Sequence, residues 1–246
     1  MSENPNEAWA DLETASADYA TRFAGPVGQW FLATQTRGLR KLLPEKASHS
    51  ILDVGGGHGQ SAGPLREDGN RVTVQGSHPE CEKRLIKLYG ENAFPFVQSS
   101  PITLPFPDES FDWVVCLRLL THTDKSRDLI REMSRVAKKG IIIDYPNTQS
   151  LNAIGPVFFR WKKSLEKNTR HWRQFKHREV VQLFDHSRWE ITGRFNQFFF
   201  PMAFHRLCKI LPLTQFLEGT ARLIGLTALL GNPTLLRAER KLSIDG

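Results

Sequence analysis

The feature that most constrains the fold is a cluster of glycines directly after a short apolar run, SILDVGGGHG at residues 50–59. The run is too short for a helix and is flanked by glycine, so it predicts a buried strand entering a tight turn. Glycine lacks a Cβ, so the backbone can turn sharply and approach a ligand closely, beside unpaired N–H groups of the following helix. Asp53, at the strand end, can accept hydrogen bonds from the loop or from an ammonium group. The candidate ligand-binding glycines are Gly55, Gly56, Gly57 and Gly59.

Further apolar runs alternate with helical segments after this cluster. We predict helices at 79–89 and at 124–137, the second capped by Asp124 or Ser126 and ended by Gly140. This alternation predicts an α/β fold with a doubly wound, mostly parallel sheet, in which ligands bind beyond the carboxyl ends of the strands. The further predicted strands of this core are residues 71–77, 94–98, 111–120 and 141–146.

The flanking segments predict additional helices and strands around this core. One N-terminal helix is expected over Trp9 to Phe23 and a second over Gln29 to Leu43, after a break at Gly25-Pro26. Two terminal strands are expected at 189–192 and 195–200, with a helical C-terminal cap. We therefore expect a single domain, divided into N-terminal helices (1–44), a cofactor-binding core (45–147) and a basic, apolar cap with terminal strands (148–246).

Charge is distributed unevenly along the chain, which has a net charge of +7. Residues 1–150 hold 17 basic and 19 acidic side chains, whereas residues 151–246 hold 16 and 7, a net of +9. Such asymmetry favours an anionic partner, either nucleic acid or phospholipid headgroups, unless the basic face is simply solvated. Aromatic residues in the second part are interleaved with long aliphatic ones, which suits lipid better than stacked bases. We therefore expect membrane contact and no nucleic acid.

Targeting and redox signals are weak. No apolar run approaches the roughly 18 residues of a membrane span, and the first residues are acidic and polar, unlike a signal peptide. The three cysteines, Cys81, Cys116 and Cys208, lie far apart and give no disulfide framework. We expect a cytoplasmic protein, without a transmembrane segment or signal peptide, associated peripherally with the inner face of a membrane.

Three motifs, ILDVGGGHG, LPFPDESFDWVVCLRLLTH and VAKKGIIIDYPN, together resemble the class I S-adenosylmethionine-dependent methyltransferases over residues 45–147. The resemblance implies a Rossmann-like methyltransferase fold with S-adenosylmethionine as cofactor. In that family the glycine loop wraps the methionine part of the cofactor, which implies this role for Asp53 and the loop glycines. Leu117, near the end of the fourth predicted strand, is a further cofactor-binding candidate.

Two positions depart from that family. Its members usually carry a carboxylate at the end of the second strand, which holds both ribose hydroxyls, but VTVQGS has no acidic residue there. Ser99 and Ser100 also stand where an Asp near the adenine amine is common. Gln75 or Ser77 is then expected to bond the ribose, and Ser100 the adenine edge. The departures suit either a non-catalytic member or a site that holds the cofactor for different chemistry.

The combination of DVGGGHGQ, VTVQGS, LRLLTH, IIDYPN and RWKKSLEKNTR most resembles the rhodoquinone biosynthesis branch of this superfamily. The resemblance implies exchange of a ring methoxy group of ubiquinone for an amino group, with S-adenosylmethionine as amino donor and Mn²⁺ as a metal cofactor. Two alternatives remain open. One is a conventional methyltransferase acting on a lipophilic quinol or phenol, and the other is a non-catalytic binding module.

Quinone chemistry requires a base and a group that polarises the ring carbonyl. His122 can be a base, a donor or a metal ligand, or only a loop residue. Asp144 can bind a metal or orient His122, and Tyr145 can donate to a quinone oxygen, although each can equally be structural. No residue spacing identifies metal ligands or the oligomeric state. The candidate substrate-binding residues are Arg118, Phe159, Trp161 and Phe199.

Overall fold

A computed structural model describes residues 10–44, 48–151, 173–208 and 210–241 of the chain. Its described strands form one seven-stranded sheet. They are β1 (Ser50–Val54), β2 (Arg71–Gly76), β3 (Phe96–Gln98), β4 (Phe111–Cys116), β5 (Ala137–Tyr145), β6 (Trp189–Phe198) and β7 (Asn232–Arg240). Their order is β3-β2-β1-β4-β5-β7-β6. The first five strands pair in parallel, and β7 is antiparallel to both β5 and β6. The predicted α/β fold with a mostly parallel sheet is confirmed.

Helices pack on both faces of this sheet. In the described part of the chain they are α1 (Ala10–Ala15), α2 (Ala17–Thr21), α3 (Gly25–Leu42), α4 (Ala62–Glu67), α5 (Pro79–Tyr89), α6 (Ser126–Val136), α7 (His177–Val181), α8 (Met202–Cys208), α9 (Leu211–Leu223) and α10 (Leu226–Leu230). Successive residues of β5 point to opposite faces, so Ile141 and Ile143 join one apolar core with α6 while Ile142 joins the other with α3. Burial on both faces is what makes these strands continuous apolar runs.

The N-terminal helices differ from the prediction at their boundaries. The single helix expected over residues 9–23 is interrupted at Ser16, whose Oγ accepts the Tyr19 N–H at 3.1 Å and caps α2. The predicted break at Gly25-Pro26 is instead the first turn of α3. Proline fits this position because the first helical N–H groups have no intrahelical acceptor.

The segment around α6 and β5 also differs. The N-cap of α6 is Lys125, so neither Asp124 nor Ser126 takes that position. Gly140 does not end α6, because β5 begins at Ala137 and Gly140 lies within it. A Cβ at Gly140 would lie 2.3 Å from Cζ3 of Trp113 on β4, so glycine is required here for strand packing.

The C-terminal part contains a strand that the sequence prediction missed. The two strands expected at 189–192 and 195–200 are one strand, β6, with a register shift near Gly193. β7, within the predicted helical cap, inserts between β5 and β6. Its leucines match a helical pattern as well as a strand pattern, so only pairing with two partners distant in sequence settles its conformation.

The cap helices, which we define as α8, α9 and α10, connect β6 to β7. Phe198 at the end of β6 pairs with Asn232, and Tyr145 at the end of β5 pairs with Thr234. The cap helices therefore lie at the edge of the sheet where the parallel strands have their carboxyl ends. Within the described ranges, no helix is both long and apolar enough to cross a bilayer.

Candidate functional site

The glycine loop follows β1 as a tight turn around a short 3₁₀ segment, Gly56–His58. Gly55 and Gly59 have φ angles of +68° and +71°, in the left-handed region that favours glycine. Gly56 and Gly57 are needed for packing within the protein. A Cβ at Gly56 would lie 2.4 Å from the Asp53 carboxyl, and one at Gly57 would lie 2.4 Å from Cβ of Cys81. The loop therefore rests directly on Asp53 and Cys81.

Asp53 is a fully buried carboxylic acid beneath this loop. Its Oδ2 accepts the Ser61 hydroxyl at 2.6 Å, whereas its Oδ1 has no hydrogen-bond partner. Burial raises the pKa of Asp53 to about 7, although the Ser61 hydrogen bond and the charge of Arg118 oppose the rise. This carboxyl is thus able to exchange a proton near neutral pH.

Gln75 ties the glycine loop to the end of β3. Its Oε1 accepts the Gly55 N–H at 3.0 Å, and its Nε2 donates to the Ser99 carbonyl at 2.6 Å. Both ends of this predicted ribose ligand are thus engaged within the protein. Ser100, the predicted adenine contact, forms a bridge with Thr103. Ser100 also borders a cavity of about 20 Å³, room for a single water.

Ser77, the other predicted ribose ligand, contacts a carboxylate that the sequence analysis did not identify. Asp11 on α1 accepts the Ser77 N–H at 2.5 Å and also the Ser77 hydroxyl. The Cys81 Sγ lies 3.8 Å from Asp11 Oδ2, and Asp11 is only 2% exposed. An acidic residue therefore reaches the end of β2 from a distant part of the chain. No local spacing signals this contact.

Arg118 lies where β4 leaves the sheet and has a φ angle of +64°. Its N–H donates to Asp144 Oδ1 at 2.5 Å, and its Nη2 donates to Gln35 Oε1 at 2.6 Å. The guanidinium lies 4.3 Å from the Phe23 ring, while Nη1 is buried without a hydrogen-bond partner. The sequence predicts that Arg118 binds the substrate. In the structure its charge lies near enough to Asp53 to oppose the rise in the pKa of that carboxyl.

His58 is a neutral imidazole inside the same cluster. Burial, followed by the positive charge of Arg118, lowers the pKa of His58 to about 3. Its Nδ1 accepts the Gln60 N–H at 3.0 Å, which fixes the end of the loop. Leu117, the remaining cofactor candidate, is 1% exposed and belongs to the apolar core on the α3 side. His58 and Leu117 therefore pack on the side of the loop that faces the protein interior.

The predicted catalytic residues lie at neighbouring strand ends on different faces of the sheet. Asp144 lies on the Arg118 side, where burial raises its pKa. Tyr145 lies on the opposite side, with its hydroxyl 2.6 Å from Nδ1 of His177, and burial raises its pKa to about 12. His122 ends a 3₁₀ turn that follows β4 and is partly exposed. Their catalytic roles stay predictions.

The predicted substrate residues are only partly within the described chain. Phe199 is half-buried, and its N–H donates to Glu218 Oε2 at 2.9 Å, which anchors the end of β6 to α9. Phe159 and Trp161 lie in residues 152–172, outside the described residues. The substrate role of the whole set therefore stays a prediction.

Several buried polar atoms at this edge of the sheet have no hydrogen-bond partner, and their chemistry can be compared with that of a nucleoside cofactor with an amino-acid end. Such a molecule carries an ammonium, a carboxylate, ribose hydroxyls and an adenine edge, so it needs both donors and acceptors. Buried side-chain atoms without a hydrogen-bond partner at this edge supply both, namely Gln35 Nε2, Asp53 Oδ1, Gln60 Oε1, Ser99 Oγ and Arg118 Nη1. Burial without a partner is costly, so these atoms fit the predicted cofactor. For Mn²⁺, the described ranges contain no group of three or more His, Cys, Asp or Glu side chains able to hold a metal ion.

The core of the chain is similar in sequence to known methyltransferases. Residues 52–143 match the family model described as a methyltransferase domain. A demethylmenaquinone methyltransferase from Clavibacter sepedonicus is 30% identical over 57% of this chain and 57% of its own length. The ubiquinone/menaquinone biosynthesis C-methyltransferase UbiE from Xanthomonas oryzae pv. oryzae is 38% identical over 39% of this chain and 40% of its own length. The chain thus spans only about half, or less, of the curated relatives that it matches.

Similarity to solved structures extends over nearly the whole chain. A methyltransferase from Thermotoga maritima, described as a possible histamine N-methyltransferase, superposes with a TM-score of 0.66 at 16% identity. The superposition covers 95% of this chain and 100% of that one. At this identity the similarity establishes the fold.

Proposed function

We propose that this chain is a class I S-adenosylmethionine-dependent transferase, and that it transfers a group from S-adenosylmethionine to a lipophilic quinol or phenol. Methyl transfer is the reaction that we propose first. It is supported by the methyltransferase-domain match and by two relatives whose names place them in quinone biosynthesis. The non-catalytic alternative is less well supported, because the buried unpartnered atoms at the loop suit a bound cofactor.

An exposed apolar surface on the cap helices carries the assignment of a lipophilic substrate. Leu207, Phe216 and Leu223 are 82%, 71% and 87% exposed, respectively. Further exposed apolar residues on or beside the same helices are Ile210, Leu213, Ile224, Leu229 and Leu230. A surface of this kind marks contact with another apolar phase or molecule, and it lies at the carboxyl edge of the sheet, as does the glycine loop. The basic C-terminal part of the chain favours an anionic bilayer as that phase.

The residues at the site have separable roles in this proposal. Bound S-adenosylmethionine supplies an electrophilic methyl group. Asp53 would accept from its ammonium end, and Arg118 Nη1 would donate to its carboxylate. His122, partly exposed at the end of its turn, would take the proton of the ring hydroxyl as general base. The hydroxyl oxygen would then accept the methyl group, with S-adenosylhomocysteine as the leaving group.

A single doubly labelled experiment tests the proposal. The protein is incubated with quinols in anionic vesicles and with S-adenosylmethionine that carries a deuterated methyl group and a ¹⁵N amino group. Mass spectrometry of the recovered quinone then reports which label was transferred. We expect the deuterated methyl group in the product and S-adenosylhomocysteine in solution. Recovery of unlabelled quinone alone would contradict the proposal.

Amino transfer is a second candidate function, and the environment of Asp53 favours it. An amino donor must lose a proton before it attacks a quinone ring, and a buried carboxyl with a pKa of about 7 can accept that proton at neutral pH. This candidate predicts ¹⁵N in the product, with loss of a methoxy group as methanol and cleavage of the bond between the nitrogen and the methionine carbon skeleton. The product is rhodoquinone formed from ubiquinone. The same mass spectrum therefore decides between the two reactions. Repeating it with and without Mn²⁺ tests the metal that the rhodoquinone resemblance implies.

Peripheral membrane contact is part of the proposal and has its own test. Leu223→Ser combined with Leu229→Ser is expected to lower the fraction that sediments with anionic vesicles several-fold, because each removes exposed apolar area. Ile86 and Leu88 are also exposed, at 40% and 42%, but lie on α5. Ile86→Ser combined with Leu88→Ser is therefore the matched control, and it is expected to sediment like the wild type. Equal sedimentation of both variants would contradict membrane contact through the cap.

A further inference from the structure

We propose that Asp11, on the N-terminal helix α1, is the carboxylate that binds the vicinal hydroxyls of the nucleoside cofactor at the end of β2. This inference rests on the proposed function only in that it requires an adenosyl cofactor at the glycine loop. If it holds, docking of α1 on the glycine loop and binding of the cofactor strengthen each other.

The position of Asp11 is the first argument. Ser77 immediately follows β2, which pairs in parallel with β1, so Ser77 lies beside the glycine loop that follows β1. β2 itself brings no acidic residue to this point, since its last residues are Gln75 and Gly76. Asp11 is 66 residues away from Ser77 in sequence and lies against the Ser77 backbone and hydroxyl. Helix α1 also packs on the 3₁₀ segment of the loop and on α5.

The unused hydrogen-bonding capacity of Asp11 is the second argument. A carboxylate offers about four acceptor sites on its two oxygens. Two bonds from Ser77 and one weak contact from Cys81 occupy part of them. Two hydroxyl groups on neighbouring carbons can each donate to one oxygen of the same carboxylate. A ribose therefore suits the remaining acceptor sites of Asp11. Gln75 is a poorer candidate because both ends of its amide are already engaged.

The burial of Asp11 is the third argument. At 2% exposure, an acidic side chain requires hydrogen-bond donors, since desolvation of a charge is costly. Ribose hydroxyls would add donors to this site. Cofactor binding should therefore strengthen the docking of α1, and loss of the Asp11 charge should weaken both.

The test measures binding by calorimetry, using S-adenosylhomocysteine and its 2′-deoxyribose analogue with the wild type and with Asp11→Asn. We expect the wild type to prefer the ribose form at least tenfold. Asp11→Asn should bind S-adenosylhomocysteine about tenfold more weakly and should lose most of that preference. Asp128→Asn, which removes a charge from an exposed ion pair on α6, is the matched control and should bind like the wild type. Hydrogen exchange of residues 10–15 should slow on ligand binding in the wild type and change less in Asp11→Asn.

The outcomes separate this inference from the proposed function. If Asp11→Asn weakens binding of both ligands equally, or of neither, Asp11 only supports the fold and the inference is wrong, while the proposed transfer reaction stands. If the wild type binds neither ligand, both fail. If the ribose preference depends on Asp11 but no quinone is modified in the labelling experiment, the inference holds and the proposed substrate is wrong.

Discussion

His205 Nε2 lies 2.9 Å from Glu218 Oε1, and the two side chains are 0% and 6% exposed. The pair joins α8 to α9 within the cap. Glu218 also accepts the N–H groups of Phe199 and Phe200, at 2.9 and 2.8 Å. One carboxylate therefore holds the end of β6, α8 and α9 together. These hydrogen bonds anchor the cap helices to the sheet, although the cap helices also expose many apolar residues.

Removal of the Glu218 carboxylate should destabilise the protein strongly. Glu218→Ala leaves two backbone N–H groups and His205 without their acceptor, so we expect a loss of about 3 kcal/mol in the free energy of unfolding. Urea denaturation measures the change. Glu239→Gln, in a surface ion pair with Arg237, is the control and should change stability by less than about 0.5 kcal/mol. Equal stability of the two variants would contradict a structural role for Glu218.

A methyl group added at Gly140 should disrupt the packing of β4 on β5. Gly140→Ala places a Cβ against the Trp113 ring, and we expect the free energy of unfolding to fall by about 1 to 3 kcal/mol. Gly219→Ala is the contrasting variant, because Gly219 lies within α9 and its added Cβ meets no atom within 4 Å. It should raise stability by about 0.5 to 1 kcal/mol through helix propensity. Thermal denaturation measures both changes. A melting temperature that rises in Gly140→Ala or falls in Gly219→Ala would contradict the prediction.

The burial of Asp53 should make stability depend on pH. Its folded pKa of about 7 lies above its ordinary value of 3.8, so the protonated form is favoured in the folded state. Its stabilising contribution is complete below about pH 4 and is lost as pH rises towards 7, by at most about 1.4 kcal/mol per pH unit. The difference in unfolding free energy between the wild type and Asp53→Asn should fall over this window and level off above it. A difference that stays constant from pH 4 to 8 would show that Asp53 titrates normally.

The left-handed backbone of Arg118 should be detectable by two substitutions at one site. Both Arg118→Ala and Arg118→Gly remove the guanidinium, but only alanine keeps a Cβ at a φ angle of +64°. We expect the glycine variant to be more stable than the alanine variant by about 1 kcal/mol. At Arg131, on the exposed face of α6, the order should reverse, because glycine is the weaker helix former. The same order at both sites would contradict the assigned backbone conformation.

Local patterns predicted the parts of the fold that depend on neighbours in sequence. Helix α5 has the bounds that the sequence predicts, 79–89, and its ends have local causes: Pro79 suits a first turn and Gly90 follows its last residue. The strand before the glycine loop was also confirmed. In each case, the residues that define the element lie within one or two turns of it, so a single sequence is sufficient.

Contacts between distant segments could not be predicted in this way. β7 is a strand only because β5 and β6 accept it between them, and Asp11 contacts Ser77 only because α1 folds back over the loop. Arg118 was assigned to the substrate because it follows a strand, but its partners Gln35 and Phe23 come from the N-terminal helices. These features depend on tertiary packing, which hydrophobic periodicity does not encode.

The position of β7 has a consequence for the biosynthesis of the chain. β6 is translated before β7 but pairs with it along its length, and β7 separates β6 from the parallel strands. While the ribosome is still adding the cap helices, β6 has no neighbour in the sheet, and the open side of β5 is exposed to other chains. The sheet can close only after residue 240 has emerged. During the interval of translation between residues 198 and 240, the nascent protein therefore exposes unpaired strand edges that can pair with other chains.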